Sequence, residues 1–493
     1  MVTILAAANA WAQKLIDKRI GKRRLRTLGY RLLVVVAMMS AIACSSAVNT
    51  NSTTPATTDT PATESLMVLW DKGYVVEEDE AIEKVVEDWE AQGGLPVKLS
   101  FYNSGETAPK TLRVSQSGSP PDVLFAAKSV YPVSDWEGKL ADVTDVVAPL
   151  ADSYTEGALQ AAKIYGSEKI SSEKAGDEKG GDRYYAVPLN QSTTHIYYWK
   201  DLLAEAGYQP TDIPTEWTEF WSFWKTVQDK VIVSHPDLRS IGLPYSVPAL
   251  DTYHVFEHVL VAHDIELLDQ RGDLRLEDPE VKAGIVKSLE WYLQFYTEGY
   301  VPEDAVNWLD PDNNRNLLNR NVVMTPNPTM SIPAAVRNDP DIYFNKLATM
   351  ELPNKLSGEP LPHFVDIRLA VIFKGAPHQQ AAKDFLSYLT GPEILSRFLK
   401  TSYGRFMPPA ISQIESDSFW QDTSDPHIST VVQTVLDGQT QPSYNALNPA
   451  YGVVMEENVW GQAIHTMAVE GQSAEAAADK AIERIQTIFR EYS

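Results

Sequence analysis

The feature that most constrains the fold is the stretch 66–105, where a short apolar run, an amphipathic segment and a second apolar run follow one another. The first run, 66–70, is continuously apolar, as is typical of a strand buried on both faces of a parallel sheet. Apolar residues then recur at spacings of three and four over 81–89, which predicts a helix that stops at Gly93 and Gly94. A second strand is predicted at 97–102. This order predicts a β-α-β unit and hence an α/β fold.

The end of the first strand is the first candidate site. In open sheets of this kind, ligands bind outside the carboxyl ends of the strands. We therefore expect four residues at this position to line a cleft: Trp70, Asp71, Lys72 and Tyr74.

The first 43 residues differ in composition from the rest of the chain. Eight Lys and Arg residues and one acid precede an uncharged apolar run at 32–43, which predicts a secretory signal peptide over residues 1–43. The run is shorter than the roughly 20 residues that a membrane-spanning helix needs, so a permanent transmembrane helix is the weaker interpretation.

Cys44, the only cysteine in the chain, directly follows this apolar run. The small residues before it resemble the lipobox of bacterial lipoproteins, in which the cysteine is acylated and becomes the first residue. The next residues, up to 65, are rich in Ser, Thr and Pro and have no apolar periodicity. We therefore expect residues 44–65 to be a lipidated cysteine followed by a flexible tether.

The remaining chain is strongly acidic. Without residues 1–43 it keeps 34 of the 42 basic and 65 of the 66 acidic residues, a formal charge of −31. This charge argues against a nucleic-acid partner, because phosphates are bound by basic patches. It also argues against electrostatic adhesion to anionic lipid, so a lipid anchor would have to hold the protein at the membrane.

Further candidate residues occur where strands or loops are predicted to end. Asn190 and Gln191 follow an apolar run, and we expect an interdomain crossing at 188–192. Trp308 and Asp310 precede a turn, and Asn327 follows a strand that begins at 322. The remaining candidates are Tyr253, Asp366, Tyr451 and Trp460. By contrast, the aromatic residues at helical spacing over 217–224 are expected to pack in a core.

These residue types suit a neutral carbohydrate. Charged and amide groups can bond to sugar hydroxyls, and aromatic rings can cover the apolar C–H faces of the ring. The first role fits Asp71, Lys72, Asn190, Gln191, Asp310, Asn327 and Asp366, and the second fits Trp70, Tyr74, Tyr253, Trp308, Tyr451 and Trp460. For each residue the alternative is a surface polar group or a core ring.

Several phrases occur in a characteristic order: WDKGY at 70–74, PPDVLFA at 120–126, YAVPLNQSTTHIYYWKDLLAEAG at 185–207, VVMTPNP at 322–328, LAVIFKGAPHQQAAKDFLSYLT at 369–390 and ENVWGQAI at 457–464. Their order resembles that of the extracellular solute-binding proteins of ABC sugar importers, the family that includes maltose-binding protein. The resemblance covers nearly all of residues 66–493.

The resemblance implies two α/β lobes joined by a hinge, the fold of periplasmic binding proteins, with a sugar in the cleft. It assigns residues 66–189 and 322–377 to the first lobe, and residues 190–321 and 378–493 to the second. Asp71 and Lys72 are similar to a pair that contacts sugar hydroxyls in maltose-binding protein. Ala126, Ser129 and Ser192 stand where that relative has aromatic or carboxylate groups, which counts against a maltodextrin.

The same resemblance implies an exported lipoprotein on the extracytoplasmic face of the cell membrane. Such a protein delivers a carbohydrate to the permease subunits of an importer and is expected to use no cofactor or metal. The chain lacks the GxxxxGK[ST] phosphate-binding motif, so the ATPase of the importer would be another chain.

Two enzymatic alternatives remain open. His254-x-x-Glu257-His258 matches H-x-x-E-H, in which two histidines one helical turn apart hold zinc and the glutamate activates water. A secreted glycoside hydrolase needs only a pair of carboxyl groups, and acidic residues are plentiful.

Overall fold

A computed structural model describes residues 64–103, 120–127, 131, 138–163, 183–437 and 439–492. The predicted signal peptide, Cys44, the tether up to residue 63 and Ser129 lie outside the described residues. Within the described ranges, no helix is both long enough and apolar enough to cross a bilayer.

The strands in these ranges are β1 (Leu66–Asp71), β2 (Val97–Tyr102), β3 (Val123–Ala127), β4 (Val187–Thr193), β5 (His195–Trp199), β6 (Arg239–Ile241), β7 (Val322–Asn327), β8 (Leu347–Met350), β9 (His363–Val371) and β10 (Thr440–Pro442). The α-helices of the first half are α1 (Val76–Ala91), α2 (Thr144–Val147), α3 (Glu156–Lys163), α4 (Lys200–Glu205), α5 (Trp217–Val231) and α6 (Leu250–Ala262). They are followed by α7 (Pro279–Thr297), α8 (Asp312–Leu318), α9 (Ser331–Ala335), α10 (Gln379–Leu389), α11 (Pro392–Thr401), α12 (Ile411–Ser416) and α13 (Ile428–Leu436). The last four are α14 (Tyr444–Leu447), α15 (Ala450–Glu456), α16 (Val459–Glu470) and α17 (Ala474–Glu491). Single turns of 3-10 helix occur at Ala148–Ser153, Pro210–Asp212 and Glu303–Asn307, and a π-helical turn occurs at Asp341–Lys346.

The first sheet is built around the predicted β-α-β unit, which is confirmed. β1 pairs in parallel with β2 along its whole length and with β3 on its other edge. β9 runs antiparallel to β3 and to β4, and β10 continues parallel to β9. The helix α1 begins where the Glu78 carboxylate accepts the backbone N–H groups of Tyr74 and Val75, at 2.9 and 3.2 Å. This cap holds the loop after β1 in place.

The second sheet has the order β6-β7-β5-β8. β5 is antiparallel to β7 and β8, and β6 is parallel to β7. The aromatic residues of α5 pack beneath this sheet: Trp217, Phe220, Trp221 and Trp224 are all buried. Their predicted role in a core is therefore confirmed.

Each sheet has its own hydrophobic core, so the molecule has two lobes. The first core joins the first sheet to α1, α3, α10, α11 and α13, and the second joins the second sheet to α5, α6, α7, α16 and α17. The chain crosses between the sheets at Thr194, at residues 351–362 and at Ser443.

These lobes differ from the predicted bounds. The crossing expected at 188–192 lies at Thr194, because β4 stays paired with β9 as far as Thr193 opposite Val365. Within the segment 322–377, β7 and β8 belong to the second lobe, because both pair with β5. Within the segment 378–493, α10, α11 and α13 belong to the first lobe, because their apolar faces pack in its core. The predicted bounds were wrong here because strand pairing joins segments that are far apart in sequence.

Candidate ligand-binding cleft

Asp71 is the last residue of β1 and lies where the two lobes meet. Its carboxylate forms an ion pair with the guanidinium of Arg368 on β9. Only 5% of Asp71 is exposed, and its Oδ1 atom has no hydrogen-bond partner among the described residues. Burial raises the pKa of this carboxyl, while the charges of Arg368 and Arg405 oppose that shift. Asp71 therefore has one oxygen that can accept a hydrogen bond from a ligand.

A polar row continues from Asp71 across β4 and β9. Asn190 lies opposite Arg368, and Ser192 lies opposite Asp366. Residues directly opposite in an antiparallel pair project from the same face. The Oδ1 atom of Asn190 and the Oγ atom of Ser192 are buried and, like Asp71 Oδ1, have no partner within the described ranges. Because buried polar atoms are normally hydrogen-bonded, this row is a place where a polar ligand could bind.

The second lobe faces this row with Tyr253 and Glu257, which lie one turn apart on α6. Glu257 is almost fully buried, and burial raises the pKa of its carboxyl to about 8. The hydroxyls of Tyr253 and Tyr451 lie near this carboxyl and partly oppose that rise in its pKa. Glu257 and Asp366 line one small cavity, and burial raises the pKa of Asp366 to about 6. The free space is about 10 Å³, room for one water-sized group.

A second polar cluster in the same lobe surrounds Asp251. Its Oδ2 atom accepts hydrogen bonds from the side-chain amides of Asn313 at 2.6 Å and Asn327 at 3.1 Å. Nearby, Asp310 accepts the backbone N–H of Leu250 at 2.8 Å. Burial raises the pKa values of both the Asp251 and Asp310 carboxyls. The cluster thus holds two buried carboxyls at the start of α6.

Arg405 of the first lobe faces this cluster. Its guanidinium contacts both oxygens of Glu78 at 2.9 Å, and its positive charge counteracts the rise in the pKa values of Asp251 and Asp310. Its backbone carbonyl accepts the N–H of Met330 at 3.2 Å. Arg405 therefore links the loop after β1 to the second lobe.

Tyr74 also reaches across the cleft. Its ring centre lies 5.6 Å from the guanidinium of Arg405, and the side chain of Asn314 lies close enough to its hydroxyl to oppose the rise in the Tyr74 pKa that burial causes. The lobes are therefore in contact over the predicted site.

The structure brings seven of the predicted site residues to this region: Asp71, Tyr74, Asn190, Tyr253, Asp310, Asn327 and Asp366. Their proximity follows from the meeting of β1, β4 and β9 with α6, β7 and the loop before α8. No ligand contact is described for any of them, so their role in binding stays a prediction.

The other predicted site residues have structural environments. Lys72 has a side chain that is 51% exposed, and its ammonium pairs with Asp79 at 2.8 Å. The side-chain amide of Gln191 donates to the carbonyl of Pro408. Trp70 stacks on Phe125 with ring centres 4.1 Å apart in the first core.

Three further rings lie in the second core. Trp308, Tyr451 and Trp460 are buried there, and the indole of Trp460 donates to the Tyr451 hydroxyl at 3.1 Å. Trp308 and Trp460 pack in the second core, whereas Trp70 also lines the small cavity beside Asp71. The role of these rings in covering a sugar stays a prediction.

Sequence reasoning missed Arg368, Arg405 and Asp251. Arg368 follows Asp366 by two residues, and the two-residue period of a strand places both on one face. Arg368 could therefore have been predicted as a neighbour of the candidate Asp366. Arg405 lies in a loop after α11 and carries no local signal.

The H-x-x-E-H motif lies on α6 and forms part of the wall between the lobes. His258 Nε2 accepts the backbone N–H of Phe364 at 3.4 Å, so its Nδ1 carries the hydrogen and donates to the His254 carbonyl at 2.8 Å. Burial lowers the pKa of His254 to about 4 and that of His258 to about 3, so both are neutral. Both ring nitrogens of His258 are thus occupied. Across the described ranges, no three His, Cys, Asp or Glu residues are arranged to hold a metal ion.

A larger groove of about 630 Å³ lies elsewhere between the lobes. It is lined by Glu156 and Gln160 of α3, by residues 264–270 after α6, and by Pro442 and Tyr444. None of the predicted site residues lines it.

Comparison with known proteins identifies a family and a relative that are both described as binding proteins. A model of the family described as bacterial extracellular solute-binding protein matches residues 84–430. The diacetylchitobiose binding protein DasA of Streptomyces coelicolor is 23% identical over 223 residues, which are 45% of this chain and 45% of that protein. The match therefore spans less than half the length of that relative.

Solved structures share the fold. An ABC transporter solute-binding protein from Thermotoga lettingae, bound with α-D-tagatose, has a TM-score of 0.71 at 18% identity and covers 86% of this chain and 99% of its own. Maltose-bound MalE3 from T. maritima has a TM-score of 0.68 at 17% identity, with coverage of 86% and 99%. These likenesses confirm the predicted two-lobed α/β fold.

Proposed function

The chain belongs to the bacterial extracellular solute-binding proteins, whose family model matches most of it, and from this premise we propose that it captures a carbohydrate for an ABC importer. The observation that carries the proposal is the polar row at the cleft. Three buried atoms of this row, on Asp71, Asn190 and Ser192, have no partner among the described residues. A sugar hydroxyl can both donate and accept, so a row of hydroxyls could satisfy all three atoms.

The relatives support this ligand class. DasA is named for diacetylchitobiose, and the two solved structures carry tagatose and maltose. Tyr74 and Tyr253 are the aromatic residues at the cleft that could lie against the apolar face of a sugar ring. Binding by residues from both lobes would couple capture to closure of the cleft.

Entry of a sugar requires the lobes to separate. The free space beside Glu257 and beside Asp71 is about 10 Å³ in each case, which is far smaller than a sugar ring. The three crossings, at Thr194, at 351–362 and at Ser443, are the segments about which the lobes could rotate. We expect the permease subunits of the importer to recognise the form that is closed on the sugar.

Binding without chemical change is the function that the comparisons favour over the enzymatic alternatives. The family and the structural relatives are binding proteins. Zinc hydrolysis would require His258 to give up one of its two backbone hydrogen bonds. A glycoside hydrolase would need a carboxyl pair that cleaves the ligand, and in our proposal the carboxyls of the cleft hold the ligand unchanged.

We predict that at least one carbohydrate raises the melting temperature of the exported part, residues 66–493. A ligand that binds only the folded state stabilises it, by about 2.7 kcal/mol at a concentration 100 times the dissociation constant. The measurement is a thermal unfolding scan with mono- and disaccharides and polyols, together with metal analysis of the purified protein. Stoichiometric zinc with no effect of any carbohydrate would support the enzymatic alternative instead.

Lipid anchoring through Cys44 is part of the proposal. Cys44→Ala should move the protein from the membrane fraction to the soluble fraction or block its maturation, because no other cysteine can be acylated. Fractionation of cells that express the wild type, Cys44→Ala and Ser45→Ala checks this, with Ser45→Ala as the control that keeps the cysteine. Membrane attachment that is equal in all three would count against the lipobox.

A further inference from the structure

Carboxyl groups outnumber guanidinium groups at the cleft. Six carboxyl groups lie there, on Asp71, Glu78, Asp251, Glu257, Asp310 and Asp366, against the two guanidinium groups of Arg368 and Arg405. Arg368 forms an ion pair with Asp71, and Arg405 forms one with Glu78. The other four carboxyls form no ion pair within the described residues. Burial raises the pKa values of all four carboxyls, which shifts them toward the protonated form, and a neutral sugar would leave them without a charged partner.

Glu257 is the member of this set that points most clearly to a ligand. It is 2% exposed, and its Oε1 atom has no hydrogen-bond partner in the described part of the chain. The groups around it on its own helix are the hydroxyl of Tyr253 and the neutral rings of His254 and His258. No cation faces it from α6.

The groups that face Glu257 from other elements are also neutral or acidic. Tyr451 of α15 brings a hydroxyl, and Ser443 and Asn445 bring a hydroxyl and an amide. From β9 comes Asp366, whose negative charge adds to the rise in the pKa of the Glu257 carboxyl. The charge of Arg368 on the same strand opposes the rise in the pKa of Asp366, but this guanidinium is paired with Asp71. No Lys or Arg among the described residues lines the cavity that the two carboxyls share.

The space between these two carboxyls has the size of a single small group. The cavity of about 10 Å³ would hold one water molecule, and an ammonium group is of similar size. Of the residues that line this cavity, Glu257 has a buried oxygen, Oε1, without a partner in the described part of the chain. An ammonium group has three donors and no acceptor, so it can donate to this oxygen and to the Asp366 carboxyl together.

We propose that the ligand is an amino sugar, or an oligosaccharide that contains one, and that its protonated amine binds between the carboxyl groups of Glu257 and Asp366. This inference rests on the proposed function, since it specifies the carbohydrate that the same cleft would take. The sugar hydroxyls would bind along Asp71, Asn190 and Ser192, and the ammonium would be the ion-pair partner that Glu257 and Asp366 lack among the described residues.

The electrostatics of the site agree with this arrangement. Burial raises the pKa of Glu257 to about 8 and that of Asp366 to about 6, the latter against the opposing charge of Arg368, and the negative charge of Asp366 adds to the rise at Glu257. A bound ammonium would favour the ionised carboxylates, and charge-assisted hydrogen bonds are roughly twice as strong as neutral ones. A hydroxyl in the same place would gain only the weaker bond.

Three disaccharides with the same linkage test the proposal. Chitobiose with two free amines, N,N′-diacetylchitobiose and cellobiose differ only in the group at carbon 2 of each ring, and glucosamine and glucose form a smaller matched pair. Calorimetric titration at about pH 6.5 keeps the amine protonated, since an α-amino group has a pKa of about 7.7 to 8.0. We expect an aminated member to bind at least about tenfold more tightly than its neutral counterparts, which corresponds to ~1.4 kcal/mol.

Two variants test whether the preference for the amine depends on Glu257 and Asp366. Glu257→Gln and Asp366→Asn keep the shape of each side chain and should reduce the preference for the amine over cellobiose to about threefold or less. Glu266→Gln is the matched control, because this carboxyl pairs with Arg275 on the surface of the same lobe. It should keep the full preference.

The outcomes separate this inference from the proposed function. Equal or tighter binding of the neutral sugars would overturn the inference and leave carbohydrate capture intact. An amine preference that survives in both variants would overturn the assignment to Glu257 and Asp366. Binding of no carbohydrate, aminated or neutral, would overturn both the inference and the proposed function.

Discussion

Asp71→Ala should weaken carbohydrate binding by about 10- to 150-fold. The Asp71 carboxylate lies at the carboxyl end of β1, where an ion pair with Arg368 fixes its position. Its Oδ1 atom forms no hydrogen bond with any described residue. A hydrogen bond to a charged group contributes roughly 1.5 to 3 kcal/mol, which gives this range of affinity. The change also leaves Arg368 without its partner, so we expect some loss of stability as well.

The measurement is a titration of the wild type and Asp71→Ala with the best carbohydrate, at a temperature where circular dichroism shows both to be folded. Asp145→Ala is the control, because Asp145 also forms an ion pair in the first lobe, with Lys383 at 2.8 Å, but its side chain is 56% exposed. The control should keep wild-type affinity. Full affinity in Asp71→Ala would remove this residue from the site.

Trp224→Ala should lower the free energy of unfolding by about 3 to 5 kcal/mol, the range typical of removing a large buried aromatic side chain. Trp224 is completely buried in the second core and lies against the rings of Tyr198, Phe220 and Phe223. The substitution leaves a cavity that the surrounding rings can fill only in part. Carbohydrate affinity should be unchanged, because the ring does not face the cleft.

Urea unfolding followed by circular dichroism measures this effect. Thr226→Ala on the exposed side of the same helix is the control and should change stability by about 0.5 kcal/mol or less. A Trp224→Ala protein of normal stability that had lost its affinity would mean that these aromatic residues form a ligand platform instead of a core.

The elements near the beginning of the fold could be predicted because their signals are local. The apolar run before Asp71 and the periodicity over 81–89 are enough to specify β1 and α1, and Gly93 has a positive φ of 89° where the helix ends. The candidate status of Asp71 followed from its place at the end of a buried strand.

The assignment of segments to lobes could not be predicted in the same way. β7 is apolar in sequence whichever sheet it joins, and its pairing with β5 depends on a partner more than 100 residues away. The same limit applies to Arg405, which pairs with Glu78 of its own lobe across 327 residues of sequence and faces Asp251 only because the two lobes come together.

Aromatic residues show a different limit. A tryptophan next to polar residues has the same sequence signature whether its ring covers a ligand or fills a core. Trp308 and Trp460 fill the second core, whereas Trp70 and Tyr253 belong to a core and also line a small cavity at the cleft. The H-x-x-E-H motif has the same limit. The spacing of its two histidines does not show whether their ring nitrogens already form hydrogen bonds, as both ring nitrogens of His258 do.

The most direct test of carbohydrate capture is a crystal structure of residues 66–493 with the best carbohydrate of the titrations. We expect the sugar between the lobes, with hydroxyls on Asp71 Oδ1, Asn190 Oδ1 and Ser192 Oγ, and the lobes closed around it. A sugar bound in the groove between α3 and residues 264–270, with those three atoms untouched, would contradict this expectation.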